Sequence, residues 1–225
     1  PNNVTSIGDS AFCNCKSLTS INIPYNLTFL GRDAFQNCTS LSSLRFSGYG
    51  KMADNHVWSD LESQIKTVTI EEGVTSIGYY AFSDFKSLTS ISISNSVVLI
   101  RSYAFFNCIS LASINIPNGV TTIEYDVFRN CRSLSSINLP RTLTSIGSDA
   151  FYFCSSLTYI DIPKKVTMFP KSIFYECSSL IFIKIPDCVT YIGESAFYNC
   201  YSLTSINIPN NVTEIGNFSF YNCSS

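Results

Sequence analysis

Apolar positions along the chain fall in a pattern that returns every 23 residues. In residues 1–23, PNNVTSIGDSAFCNCKSLTSINI, the apolar set is Val4, Ile7, Ala11, Phe12, Cys15, Leu18, Ile21 and Ile23. Ile21 and Ile23 alternate with Ser20 and Asn22, the period-2 pattern of a strand with one buried face. NVTSIG reads as a second, shorter strand. Between them, Phe12 and Cys15 are three apart and Ala11 and Cys15 four apart, which places them on one side of a single helical turn. Proline at the unit start ends the long strand, because it has no N–H to give to a ladder. Glycine recurs at Gly8, Gly31, Gly78, Gly147, Gly193 and Gly216, which suits a corner needing a permissive backbone. The unit is predicted to be one coil: strand, corner, short strand, turn of helix.

Full copies begin at Pro24, Glu71, Ser94, Pro117, Pro140, Pro163 and Pro186, and a partial copy at Pro209. A period in this range means a repeat solenoid, in which no unit buries its apolar face alone. Stacking puts each side chain above its equivalent, and Phe12, Phe35, Phe82, Phe105, Phe128, Phe151, Phe174, Phe197 and Phe220 form a ladder through all nine regular units. With strands ~4.8 Å apart, about ten coils make a rod or arc about 45 to 50 Å long. Residues 1–225 are read as a single array, with regular units at 1–46 and 71–225 and a divergent unit at 47–70. The chain starts inside the pattern at Pro1 and stops inside a unit at Ser225, so a segment of a longer protein is expected.

The run IPxxVTxIGxxAFxxCxSLTSIxI, complete at residues 185–208, resembles the BspA-like leucine-rich repeat family, and the resemblance covers essentially the whole chain. The unit at Pro117 departs, with Glu124 in place of the glycine and Val127 in place of the alanine. Residues 47–70 resemble a divergent unit of that family, G-x-G-x-M…W…I-K-x-V-x-I, through Gly48, Gly50, Met52, Trp58, Ile65, Val68 and Ile70. That unit often opens such arrays; here it is mid-chain. The resemblance implies a right-handed, leucine-rich-repeat-like coil of parallel β-strands with short helical turns. It also implies a cell-surface or secreted protein of bacteria or some protists, engaged in adhesion and protein binding, with no cofactor.

Composition narrows the function. Charged residues are 13% of the chain, about half the usual share. The surface must then be mostly Ser, Thr, Asn and Tyr. A net charge of −2 without a basic run argues against nucleic acid, which rewards clustered Lys and Arg. No apolar run approaches the ~20 residues of a membrane span, so no membrane insertion is expected within this segment. Six Asn-x-Ser/Thr sequons, at Asn3, Asn26, Asn37, Asn211, Asn217 and Asn222, are largely by-products of the repeat.

Ten cysteines invite a disulfide or zinc reading, and spacing opposes both. Cys15, Cys38, Cys108, Cys131, Cys154, Cys177, Cys200 and Cys223 share one repeat position, with Phe85 replacing the cysteine in the Glu71 unit. A site that accepts Phe wants an apolar filler, and free Cys behaves as a small hydrophobe. Buried, reduced thiols are expected there. Cys13 and Cys188 are off the ladder, and Cys13-x-Cys15 lacks the C-x₂₋₄-C spacing of zinc sites.

No catalytic site is assigned. The single histidine, His56, stands near Asp54 and Asp60 in the divergent unit, where a hydrolase would need convergence with an oxyanion hole; a solvated side chain is the plainer reading. Glu71 and Glu72 read as a solvated corner. Ser59 to Glu62 has the capping-box form, predicting a short helix through about Ile65. Trp58 and Met52 either plug the core where a phenylalanine rung is missing or form an exposed loop, and the void argument favours the plug.

Two function classes remain: a binding module with an extended face, or a structural spacer or coat element without a ligand of its own. The partner of a binding module would be a protein or a surface glycan on a host or neighbouring cell. Unpaired strand edges at the array ends also predict self-association. Along the long strand the outward pairs are small, polar or singly charged in seven units and different in two adjacent ones: Tyr159 with Asp161, and Phe182 with Lys184. Ile181 precedes Phe182, and Lys164, Lys165 and Lys171 share its unit. Tyr159, Asp161, Ile181, Phe182 and Lys184 are therefore the candidate partner-binding residues. The competing reading is that they stabilise the sheet itself through an aromatic pair and a charge pair.

Overall fold

The structure, a computed structural model, describes residues 3–52, 54 and 61–224. It is a parallel-strand β-solenoid of about nine turns. Long strands at Ser20–Pro24, Ser43–Ser47, Thr67–Ile70, Ser90–Ile93, Ser113–Asn115, Ser136–Asn138, Tyr159–Asp161 and Phe182–Lys184 form one face. Ser205 extends it by a bridge to Phe182. Short strands, from Ser6–Ile7 to Glu214–Ile215, line a second face. Pairing is parallel throughout and joins repeat equivalents: Ser113 to Ser136, Ile114 to Ile137, Asn115 to Asn138. Across the divergent unit Ser43 pairs with Thr67 and Thr67 with Ser90. Its one extra residue is thus taken up away from the long strand, and the ladder passes through in register.

The segment expected to be a helical turn is not helical. Each regular coil instead holds two left-handed residues there, for example Ser10 (φ 54°) and Asn14 (φ 63°), and Asp126 (φ 56°) and Asn130 (φ 63°). The reason lies in where the N–H groups point. Ser10, Phe12 and Asn14 donate to Arg32, Ala34 and Gln36 of the next coil, while Ala11, Cys13 and Cys15 donate three residues back within their own. A helix would aim all its N–H groups along its own axis and leave the neighbouring coil unbonded. Asn and Asp tolerate the left-handed conformation best, and Asn side chains at this place continue the ladder: Asn37 Nδ2 donates to Asn14 Oδ1 at 3.0 Å and Asn222 Nδ2 to Asn199 Oδ1 at 3.1 Å.

The recurring glycines also have a different cause from the one expected. Left-handed glycines are Gly48, Gly50 and Gly73, all in or beside the divergent unit. At some repeat glycines the coils approach closely: a Cβ on Gly31 would lie 2.3 Å from Asp9 N, and one on Gly147 2.4 Å from Tyr125 N, whereas Arg101, Glu124 and Pro170 hold the same position in three other coils.

Inside, the phenylalanine ladder forms. Centroids of Phe105, Phe128, Phe151 and Phe174 follow one another at 5.5, 5.6 and 5.5 Å, with planes within 8° of parallel, and all four are fully buried. The divergent unit has no phenylalanine at the ladder position between Phe35 and Phe82. Phe46 and Phe85 are each set edge-on to Phe82 at 5.5 and 5.6 Å, with Met52, Leu61 and Ile65 also buried. Met52 therefore plugs the core; Trp58, His56 and Ser59 lie outside the described residues. Leu61 is in a tight helical turn, with Gln64 N and Ile65 N both donating to Leu61 O at 3.2 Å; Ser59 and Asp60, where the capping-box form starts its short helix, lie outside the described residues.

Because each rung touches only its neighbours, its contribution follows its burial. Phe128→Ala is expected to cost ~3–5 kcal/mol, and Phe12→Ala, at the half-buried first rung, less than about half of that. Denaturant midpoints of the two variants check this; equal losses would mean that ladder burial is not the source of stability.

Candidate binding face

Ten thiols are the densest reactive chemistry in the chain, and the fold disarms most of them. All ten are free. Six ladder members, Cys38, Cys108, Cys131, Cys154, Cys177 and Cys200, are buried; Cys15 is exposed and Cys223 half-buried. Full burial of all eight is thus corrected at both ends, where no further coil covers the position. The ladder also does more than fill space. Each buried thiol donates to the phenylalanine carbonyl of the coil before, as Cys131 Sγ does to Phe105 O at 3.1 Å and Cys154 Sγ to Phe128 O at 3.2 Å. Burial pushes the Cys131 thiol up to about 12 and raises Cys108, Cys154 and Cys177 well above the ordinary range. A thiol held protonated is a poor nucleophile. Off the ladder, Cys188 is half-buried and donates to Lys164 O at 2.8 Å and Val166 O at 3.1 Å, the part that Thr142 plays two coils earlier.

The long-strand face is a more promising surface. Tyr159 pairs in register with Phe182, and Asp161 with Lys184. Their alternation follows from the buried Ile160 and Ile183 between them, which fix the outward direction of the other two. Tyr159 is 50% exposed, Phe182 44% and Ile181 52%. Among the described residues the Tyr159 and Phe182 rings make no ring contact with each other, and Asp161 and Lys184 close no ion pair. Lys171 does not reach this face. It lies on the turn side and pairs with Glu194 at 3.1 Å.

Where these strands end, the corner opens into three adjoining hollows of about 310, 410 and 490 Å³. Asp161 lines all three, joined in one or another by Arg141, Lys164, Lys165, Lys184 and Asp187. Arg141 had no place in a reading confined to the strand, because it follows Pro140 at the corner one coil earlier. Its signal was available: the residue after the unit proline is Arg141, Lys164 and Asp187 in three successive coils.

A second ladder escaped the sequence reading altogether. Tyr152, Tyr175, Tyr198 and Tyr221 each follow a ladder phenylalanine and stack on the turn surface at 4.5, 4.6 and 4.8 Å. The Arg129 guanidinium caps the stack, 4.2 Å from the Tyr152 centroid. Partial burial, then the neighbouring Tyr152 and Tyr198, raise the Tyr175 hydroxyl. The rings cover one another's faces and present only edges, which makes this a stiffening rib. At the other corner Glu71 is not merely solvated: it forms an ion pair with Arg45.

A model of the BspA type leucine rich repeat region matches residues 1–111 and 98–225. The chain belongs to the BspA-type leucine-rich repeat family. Its fold is similar to that of the T. pallidum leucine rich repeat protein TpLRR, at a TM-score of 0.67 and 24% identity, over 89% of this chain and 86% of that one. It is also similar to a leucine rich cell surface protein from Faecalibacterium prausnitzii A2-165, at 28% identity and a TM-score of 0.51, over 98% and 81% of the two chains. No curated protein matches the chain. In this BspA-type array the strands, core ladder and corner proline are the shared parts, and Tyr159, Phe182 and the corner cations are departures from its own consensus. Among the described residues no helix is long and apolar enough to cross a membrane.

The thiol geometry has a direct readout. At neutral pH a maleimide should modify Cys15 fast, Cys13, Cys188 and Cys223 more slowly, and the six buried thiols only after denaturation; disulfide-linked ladder peptides in a mass digest would contradict this. Raised thiols keep their protons longer folded than unfolded. The array should therefore hold full stability below the ordinary thiol value of ~8.5 and lose it as pH rises from there toward the Cys131 value of about 12.

Proposed function

We propose that this array is a non-enzymatic binding module of a cell-surface or secreted protein, and that it captures a protein or glycan partner on its long-strand face. The observation that carries the reading is one break in an otherwise monotonous long-strand face: Tyr159 and Phe182 stand half exposed where the other coils place Ser or Thr, and Ile181 where they place Thr, Ser, Lys or Ala. Exposed aromatic groups bordered by charge are the usual anchors of an interface. The sheet-stabilising alternative draws on cross-strand pairs, and neither pair is closed within the chain. The cell-surface name of the F. prausnitzii relative supports the location.

The double variant Tyr159→Ser with Phe182→Ser returns both positions to the repeat consensus. It should change stability by less than about 1 kcal/mol and weaken attachment of protein-coated beads to cell layers by about 30-fold, the loss of a hot-spot pair. Unchanged attachment with a lowered melting temperature would assign the two rings to the scaffold and leave the module a spacer.

A further inference from the structure

We infer that the ligand of the 159–188 face is an acidic polysaccharide, a chain of sugar rings bearing carboxylates, laid along the corner hollows with its rings against Tyr159 and Phe182. The inference rests on the reading of that face as the binding surface and names the chemistry it would recognise. Four cations, Arg141, Lys164, Lys165 and Lys184, line the hollows against two carboxylates, Asp161 and Asp187, in a protein whose net charge is −2. Among the described residues none of the four cations forms an ion pair. All four are exposed. The charge is local, unspent and set beside two open aromatic rings.

Three features separate a sugar polymer from an acidic peptide. First, the hollows belong to successive coils and so recur at the strand spacing of ~4.8 Å, whereas an extended peptide presents side chains to one face every ~6.8 Å and falls out of step within two coils. A chain of pyranose rings advances by close to one strand spacing per ring and stays in step. Second, Asp161 and Asp187 would repel a bare polyanion but accept hydrogen bonds from hydroxyl groups, and a uronate ring carries both carboxylate and hydroxyls. Third, Tyr159 is 50% and Phe182 44% exposed, so their unstacked faces can receive the apolar C–H face of a sugar.

The test uses the full chain and polygalacturonate, with two controls: its neutral methyl ester, and poly-glutamate of equal charge. Polygalacturonate should bind, and binding should vanish in 1 M salt, where the screening length falls to about 3 Å. The triple variant Arg141→Gln, Lys164→Gln, Lys165→Gln, whose exposed side chains leave the melting temperature unchanged, should bind about tenfold more weakly. Both controls should also bind about tenfold more weakly than polygalacturonate. Equal retention of poly-glutamate would overturn the inference by showing that charge alone is read, and equal retention of the ester would overturn it by showing that charge is not. Absence of polygalacturonate binding, with cell attachment still sensitive to Tyr159→Ser and Phe182→Ser, overturns the ligand class and leaves the binding role standing. Loss of both would overturn both.

Discussion

One constraint governs the molecule: each coil must sit on the next at a single strand spacing, all the way round. On the long-strand face parallel pairing meets it in three runs, from Ser20–Pro24 to Ser90–Ile93, from Ser113–Asn115 to Ser136–Asn138 and from Tyr159–Asp161 to Phe182–Lys184, with the strands between runs packed side by side. On the turn side it is met only because alternate N–H groups are sent to the next coil, and that alternation demands two left-handed residues per coil. The close approach leaves no room for a Cβ at Gly31, Gly147, Gly193 and Gly216, where backbone atoms of the neighbouring coil would stand within 2.6 Å of it, while Arg101, Glu124 and Pro170 occupy the equivalent position in other coils. Equivalent side chains are then forced over one another. Phenylalanine rings accept this as parallel stacks, thiols as donors to the carbonyl below, and asparagines as an amide chain.

The same constraint makes stability local. Ladder rings stack on the equivalent rings of the adjacent coils, so a rung is worth what its two neighbours bury. The first coil shows this in reverse: Phe12 is half-buried and Cys15 exposed, while their equivalents in the middle of the array are fully covered. The divergent unit shows how a gap is tolerated. With no phenylalanine at its ladder position, the unit is flanked by two enlarged side chains, Phe46 where other regular coils place Ile or Leu and Phe85 where they place Cys, both edge-on to Phe82. Packing to the density of an organic crystal is required, but not by the same side chain in each layer.

Much of this was legible in the sequence, because a period repeated nine times averages out local ambiguity. The strand register, the phenylalanine ladder and the outward direction of Tyr159 and Phe182 all follow from period-2 alternation and the 23-residue repeat. The turn did not follow. Apolar residues three and four apart within seven positions fit one helical turn and two successive tight turns equally well, and the sign of φ at Ser10 and Asn14 is set by bonds to another coil. The glycine was misread for the same reason: its need is a neighbour 23 residues away, not its own backbone angle. The donor role of the cysteines was hidden by Phe85, which satisfies the volume of the site but not the carbonyl. Of the candidate face, the strand residues were visible and the corner cations only half so, since Lys164 and Lys165 were grouped with Lys171, which the fold turns to the opposite side.

A ruler-like scaffold of this kind separates folding from recognition with unusual completeness. Outward strand positions carry no fold information, since Ser113, Ser136 and Ser205 support the same pairing as Tyr159 and Phe182. The array would therefore tolerate small polar residues at every coil, and a large apolar group placed there costs hydration without being required by its neighbours. On the long-strand face the half-exposed rings at Tyr159 and Phe182, standing beside four cations that form no ion pair among the described residues, are thus a place where the chain gives up solubility for something other than its own fold. Because the backbone beneath them is fixed by coils on both sides, their separation is fixed as well. A partner meets a preformed spacing rather than a loop that must be ordered on binding, and loses correspondingly little affinity to that ordering.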